Sequence, residues 1–214
     1  MPRLPNGLTF ELAPAQINSS APTAVVLLHG RGSDEKDLLE LASVFDSSWL
    51  AVSIRAPFQF QFGGYTWFDW EQVMNGDTDQ VEESCQLLIR AITDIQEQYH
   101  CDPNKIALFG FSMGAMMALT VALTIPHRIR AVVAHSGTLL ENLDYKWNDI
   151  RNTSFFLAHG SYDPIVPISF GRQAFDIIRL HTSSVVFKQY PIQHSISDES
   201  LSDAVDFLQK AFKV

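Results

Sequence analysis

The sequence predicts an α/β fold in one domain, with a mostly parallel central sheet covered by helices on both faces. Three observations carry this expectation. Short apolar runs alternate with amphipathic stretches from end to end of the 214 residues, as in successive strand–helix–strand crossovers. The runs are continuous, which suits strands buried on both faces. No internal repeat, low-complexity tract or linker interrupts residues 1–214, a length that a single core can serve.

Taken in order, residues 8–12 (Leu-Thr-Phe-Glu-Leu) can form an antiparallel edge strand. Residues 24–28 are a pure apolar run ending at His29-Gly30, a buried parallel strand. Asp34 can cap a helix reaching Phe45, with Leu38, Leu39, Leu41 and Ala42 on one side. Residues 49–54 form the next strand, closed by Ala56-Pro57, and an aromatic loop fills 58–70. Asp77 or Thr78 starts a helix through Tyr99, with Val81, Leu88, Ile92 and Ile95 at helical spacing. After a turn at Asp102-Pro103-Asn104, residues 105–109 are a strand and 111–125 a helix stopped by Pro126. Strand 129–135 leads to a loop over 137–153 with at most a short helix. Strand 155–159, helix 167–181, strand 185–190 and helix 198–212, capped by Asp198, complete the alternation.

The chemistry centres on Gly110-Phe111-Ser112-Met113-Gly114, a G-x-S-x-G set between a predicted strand and a predicted helix. A serine on so sharp a turn needs small neighbours, because side chains at 110 and 114 would collide with strand and helix. The turn lifts the hydroxyl off the sheet and aims a helix N-terminus at it. A serine hydroxyl is a poor nucleophile until a base takes its proton, and the base needs an acid to hold it. His29, His135, His159 and His194 are candidate bases. The chain order Ser…Asp…His selects His194, after the last predicted strand, and His29 more naturally braces the preceding loop. The acid is Asp163, in a loop beyond the carboxyl end of a strand, where α/β sheets collect their sites. Two backbone donors for a tetrahedral oxyanion are expected from Met113 N–H and from Arg31 N–H, the latter in the loop His29-Gly30-Arg31-Gly32. An Arg31 guanidinium facing the site would favour anionic substrate tails.

Composition excludes other classes. The net charge of −9 argues against a nucleic-acid partner. No apolar stretch of about 18 residues marks a membrane span, the N-terminus lacks the apolar core of a signal peptide, and a cytoplasmic protein is expected. Cys85 and Cys101 have no metal or redox spacing, and metal-protease patterns such as H-E-x-x-H are absent, so neither metal nor cofactor is expected. A homodimer is the base-rate assembly for a soluble enzyme.

With these residues assembled, nearly the whole chain resembles the phospholipase/carboxylesterase family of α/β-hydrolases, which includes the acyl-protein thioesterases. The resemblance rests on Leu28-His29-Gly30-Arg31-Gly32-Ser33-Asp34, Arg55-Ala56-Pro57, Gly64-Tyr65-Thr66-Trp67-Phe68, the Ser112 motif, His135-Ser136-Gly137, His159-Gly160…Asp163…Val166-Pro167 and His194. It implies an α/β-hydrolase fold without a large lid domain and metal-free hydrolysis of small-molecule acyl esters or thioesters. It also implies that Trp67 and Phe68 lie near the active-site mouth or acyl groove as substrate-binding residues. The chain departs from the thioesterase branch at three positions. Met113 stands where that branch usually has Gln, Gln193 where it has Gly, and Arg31 where it has an apolar residue. A peptidase or lactonase on the same triad is the alternative among enzymes, and a non-catalytic binding protein on a hydrolase scaffold the alternative outside them.

Overall fold

A computed structural model describes residues 2–17 and 19–213. Its central sheet has seven strands: β1 (Phe10–Ala13), β2 (Thr23–Leu28), β3 (Trp49–Ile54), β6 (Ile106–Phe111), β7 (Ala131–His135), β8 (Ser154–Gly160) and β9 (Val185–Tyr190). They lie in the order β1-β3-β2-β6-β7-β8-β9. Only β1 runs antiparallel, pairing Phe10 with Ile54 at one edge; every other pair is parallel. A two-stranded hairpin, β4 (Phe58–Gln59) with β5 (Tyr65–Thr66), stands apart from this sheet.

Alternation along the strands splits the core into two layers. Val26 and Leu28 of β2 pack on one face with α2 (Asp79–Tyr99), α3 (Met113–Thr124) and α4 (Ile168–Ile178). Val25 and Leu27 face the other side, under α5 (Asp198–Phe212) and a 3-10 helix at Leu39–Val44. Helix α3 is buried from Met113 through Leu123, because it is wedged between the sheet and α2 and has no wet face. That explains its run of Ala, Met and Leu.

Four expectations need correction. The segment from Asp34 to Phe45 is not an α-helix but turns followed by the 3-10 helix at Leu39–Val44, and the Asp34 carboxylate accepts the Lys36 N–H in a turn. The aromatic stretch 58–70 is not a bare loop: it holds the β4–β5 hairpin and leads into α1 (Trp70–Met74), capped by Asp69. The cap of α5 is Ser197, in a reciprocal box with Ser200, and Asp198 is the first helical residue. The edge strand starts two residues later than expected, at Phe10.

Candidate active site

Every element of the site rises from the carboxyl end of a parallel strand. Ser112 follows β6 and carries φ 55° and ψ −119°, a region that residues with a side chain rarely occupy. The turn is locked from both sides: Ser112 N–H donates to His135 O at 2.8 Å, and Ser112 O accepts from Ala115 N–H at 3.0 Å. The flanking glycines are obligatory by contact. A Cβ on Gly110 would overlap the Gly114 carbonyl, and one on Gly114 would overlap the Leu28 carbonyl.

His194 lies beyond β9, with Nδ1 2.7 Å from Asp163 Oδ2 and Nε2 2.9 Å from Ser112 Oγ. A carboxylate only accepts, so Nδ1 carries the hydrogen and Nε2 is left to accept from the serine. Asp163 sits in the loop after β8. Its Oδ1 accepts from Ile165 N–H and Val166 N–H, both at 2.9 Å, so every lone-pair direction that matters is used. Burial opposes its charge, but the His194 hydrogen bond and the Val166 and Ile165 N–H groups hold its carboxyl below the usual carboxylate range. His159, also buried, donates from Nε2 to Val166 O at 2.8 Å, and burial keeps it neutral by pulling its pKa down.

The loop after β2 faces this group. Among the described residues, the N–H groups of Arg31 and Met113 have no acceptor in the chain, whereas those of Gly32 and Ser112 are paired with Tyr65 O and His135 O. Both residues line a cavity of about 120 Å³ together with Ser112, Met116, Trp70 and Val166. His29 braces the loop from below. Ala56 N–H donates to its Nε2 at 3.0 Å, so Nδ1 carries the hydrogen and donates to Gly30 O at 2.7 Å. Burial lowers the pKa of His29, which keeps that pattern.

Arg31 and Trp70 also line a larger groove of about 600 Å³, walled by Phe58, Phe60 and Phe68. The Arg31 guanidinium lies over the Phe60 ring, 5.3 Å from its centroid. Asp69 and Glu71 line the same groove, so its charge is mixed rather than cationic.

A family model described as phospholipase/carboxylesterase matches residues 15–212. The chain belongs to the phospholipase/carboxylesterase family. Acyl-protein thioesterase 1 of Debaryomyces hansenii is 33% identical over 163 residues, covering 71% of this chain and 70% of that protein. The crystal structure of esterase PE8 superposes with a TM-score of 0.81 at 29% identity, covering 95% of this chain and 99% of that one. A Bacillus cereus carboxylesterase shares the fold, with a TM-score of 0.83 at 22% identity over 96% of this chain and 95% of that one. The α/β-hydrolase fold and the class of carboxylic ester hydrolase therefore hold for this member of the family.

Within the family frame, the sequence-selected Ser112, Asp163, His194, Met113 and Arg31 converge on one place. Phe68 is fully buried but walls the larger groove. Trp67, expected at the mouth, is fully buried as well and borders neither cavity; its Nε1–H donates to His29 O at 2.9 Å and so supports the loop from behind. Trp70 and Met116 line the cavity beside Ser112, and the sequence reasoning missed the Ile165 and Val166 amides that hold Asp163, for which spacing gives no signal. Cys85 and Cys101 are buried free thiols, each pushed up to about 11 by burial. Among the described residues no group of three or more His, Cys, Asp or Glu is placed to hold a metal, and no helix is long and apolar enough to cross a membrane.

Proposed function

We propose that the protein cleaves carboxylic esters through an acyl-enzyme on Ser112. The observation that carries this is the relay from Ser112 Oγ to His194 Nε2 at 2.9 Å and from His194 Nδ1 to Asp163 Oδ2 at 2.7 Å. His194 takes the hydroxyl proton as Oγ attacks the ester carbon, and Asp163 stabilises the imidazolium that forms. The negative oxygen of the tetrahedral intermediate is received by the Arg31 and Met113 N–H groups, which have no other acceptor among the described residues and so need no reorganisation. Collapse breaks the bond to the leaving oxygen or sulfur, which takes the proton from His194. Water, deprotonated by the same imidazole, then attacks the acyl carbon, and the second intermediate releases the acid and the serine.

The two cavities suit the two halves of a small-molecule ester: about 120 Å³ beside Ser112 and about 600 Å³ beyond Arg31 and Trp70. A thioester substrate is the second reading, motivated by the name of the Debaryomyces hansenii relative, acyl-protein thioesterase 1. Initial rates on p-nitrophenyl esters from acetate to palmitate, matched by the corresponding thioesters, test both. Wild-type activity that peaks at one chain length and vanishes in Ser112→Ala supports the serine mechanism; equal activity in the two proteins sinks it.

A further inference from the structure

The loop that presents Arg31 is held by a charged clamp in which the nucleophile, base and acid take no part. Glu35 has a fully buried side chain, and both its oxygens accept from Arg55: Nε to Oε2 at 2.5 Å and Nη2 to Oε1 at 2.6 Å. Arg55 follows β3, and its Nη1 donates to the Tyr65 hydroxyl at 2.9 Å while the guanidinium stacks 4.3 Å from the Tyr65 ring centroid. Tyr65 in turn brackets the residues on the far side of Arg31. Gly32 N–H donates to Tyr65 O, and Tyr65 N–H donates to Ser33 O, each at 2.8 Å. Gly64 packs so closely on this bridge that a Cβ there would overlap the Gly32 carbonyl. The buried carboxylate is therefore joined through one guanidinium to the strand that pins Gly32 and Ser33.

We propose that Glu35, Arg55 and Tyr65 are positioning residues that fix the direction of the Arg31 N–H, and hence set the rate of oxyanion formation while leaving ground-state binding largely alone. The proposal rests on the Ser112 reading and on Arg31 as an oxyanion donor. Its physical basis is geometric. A bidentate guanidinium–carboxylate pair fixes both distance and plane, which a single hydrogen bond does not. A donor displaced by about 1 Å loses most of its value in the transition state. Burial makes Glu35 depend on its partner, because without Arg55 its carboxylate is a buried charge without compensation. Burial opposes the charge of Glu35, yet its hydrogen bond with Arg55 holds its carboxyl below the ordinary value.

The test uses Glu35→Gln, which keeps shape but not charge, and Arg55→Lys, which keeps charge but not the fork. Each folded variant is expected to lose kcat by roughly 10²-fold, the scale of one oxyanion donor, with KM changed by less than about threefold. A trifluoromethyl ketone bearing the acyl chain that wild type prefers forms an oxyanion on Ser112, and its affinity is expected to fall in proportion to kcat/KM. A merely structural role would lower the melting temperature and leave ketone affinity intact. Wild-type kcat in a folded Glu35→Gln or Arg55→Lys overturns the proposal, as does a KM rise with unchanged ketone binding. Should neither fold, Tyr65→Phe removes only the hydroxyl that Arg55 reaches; kcat about three- to tenfold lower is expected, and wild-type kcat overturns the proposal. Activity that survives Ser112→Ala sinks the serine mechanism itself. Activity lost there but intact in a folded clamp variant sinks the clamp alone.

Discussion

His159 and Asp163 stand 3.6 Å apart, from Nε2 to Oδ2, yet the histidine gives its hydrogen to the Val166 carbonyl at 2.8 Å rather than to the carboxylate. His159 is thus a neutral brace for the turn that holds Asp163, and the aspartate charge is left to His194.

Replacing that brace should loosen the acid without removing it. His159→Leu strips the Val166 carbonyl of its donor, at a cost of about 1–3 kcal/mol in stability. The expected kinetic result is a drop in kcat of about tenfold with KM little changed, read by steady-state rates beside a urea melt. Unchanged kcat in a destabilised variant would show that the turn keeps Asp163 in place without His159.

Asp163→Asn is expected to be more severe. The amide oxygen can still accept from Ile165 and Val166 N–H, so the loop should keep its shape. The amide nitrogen would then face His194 Nδ1 and reverse its tautomer, leaving no acceptor for the serine proton. A fall in kcat on the order of 10³–10⁴-fold follows, with a melting temperature close to wild type. Rates near wild type would point to a different acid.

Stability should fall as pH drops below neutrality. His135 is buried against Phe109 with Nε2 unpartnered, and burial pulls its pKa from 6.5 down to about 3. The unfolded chain protonates that histidine near pH 6.5 while the native state refuses the proton until about 3, so its contribution is whole above 6.5 and is lost progressively between those values. The slope is about 1.4 kcal/mol per pH unit for each such residue. His29 and His159 are shifted in the same direction by burial, whereas Asp163 adds its own loss only below its ordinary value of 3.8. Urea midpoints measured from pH 7.5 to 4.5 should decline, and His135→Leu should decline less steeply. A parallel decline in both proteins would remove His135 as a cause.

The glycines around the serine turn should separate folding from catalysis. Gly114→Ala drives a methyl into the Leu28 and His29 carbonyls, which are backbone and cannot yield, so little folded protein is expected. Gly30→Ala meets side chains alone, with Phe111 Cδ1 at 3.3 Å and Ser112 Cβ at 3.5 Å the nearest atoms. That variant should fold, with kcat about tenfold lower from crowding at the nucleophile. Soluble yield, circular dichroism and rate measurements on the pair check both halves.

The legible parts of this protein are those whose cause is local. The Ser112 turn could be read because strand, glycines and helix adjoin within a few residues, and chain order is what singles out His194 as the proposed base. The segment after Asp34 was misread because its apolar spacing says helix, while Glu35 is pulled inward by Arg55, a partner 20 residues away that periodicity does not see. The place of Trp67 near the mouth or acyl groove came from the family resemblance, and only the fold shows that its indole N–H has the His29 carbonyl to satisfy. Gly63-Gly64, both at positive φ between Gln59 and Tyr65, was the available sign of the hairpin.

On the proposed mechanism, the backbone of Ser112, at φ 55°, sets activity against robustness within a single residue. Such a conformation costs on the order of 1–3 kcal/mol in a residue with a side chain, and glycine would adopt it almost freely. Ser112→Gly would therefore melt higher than wild type while hydrolysing nothing. Any search for hardier variants that scores heat resistance alone will drift toward discarding the proposed nucleophile.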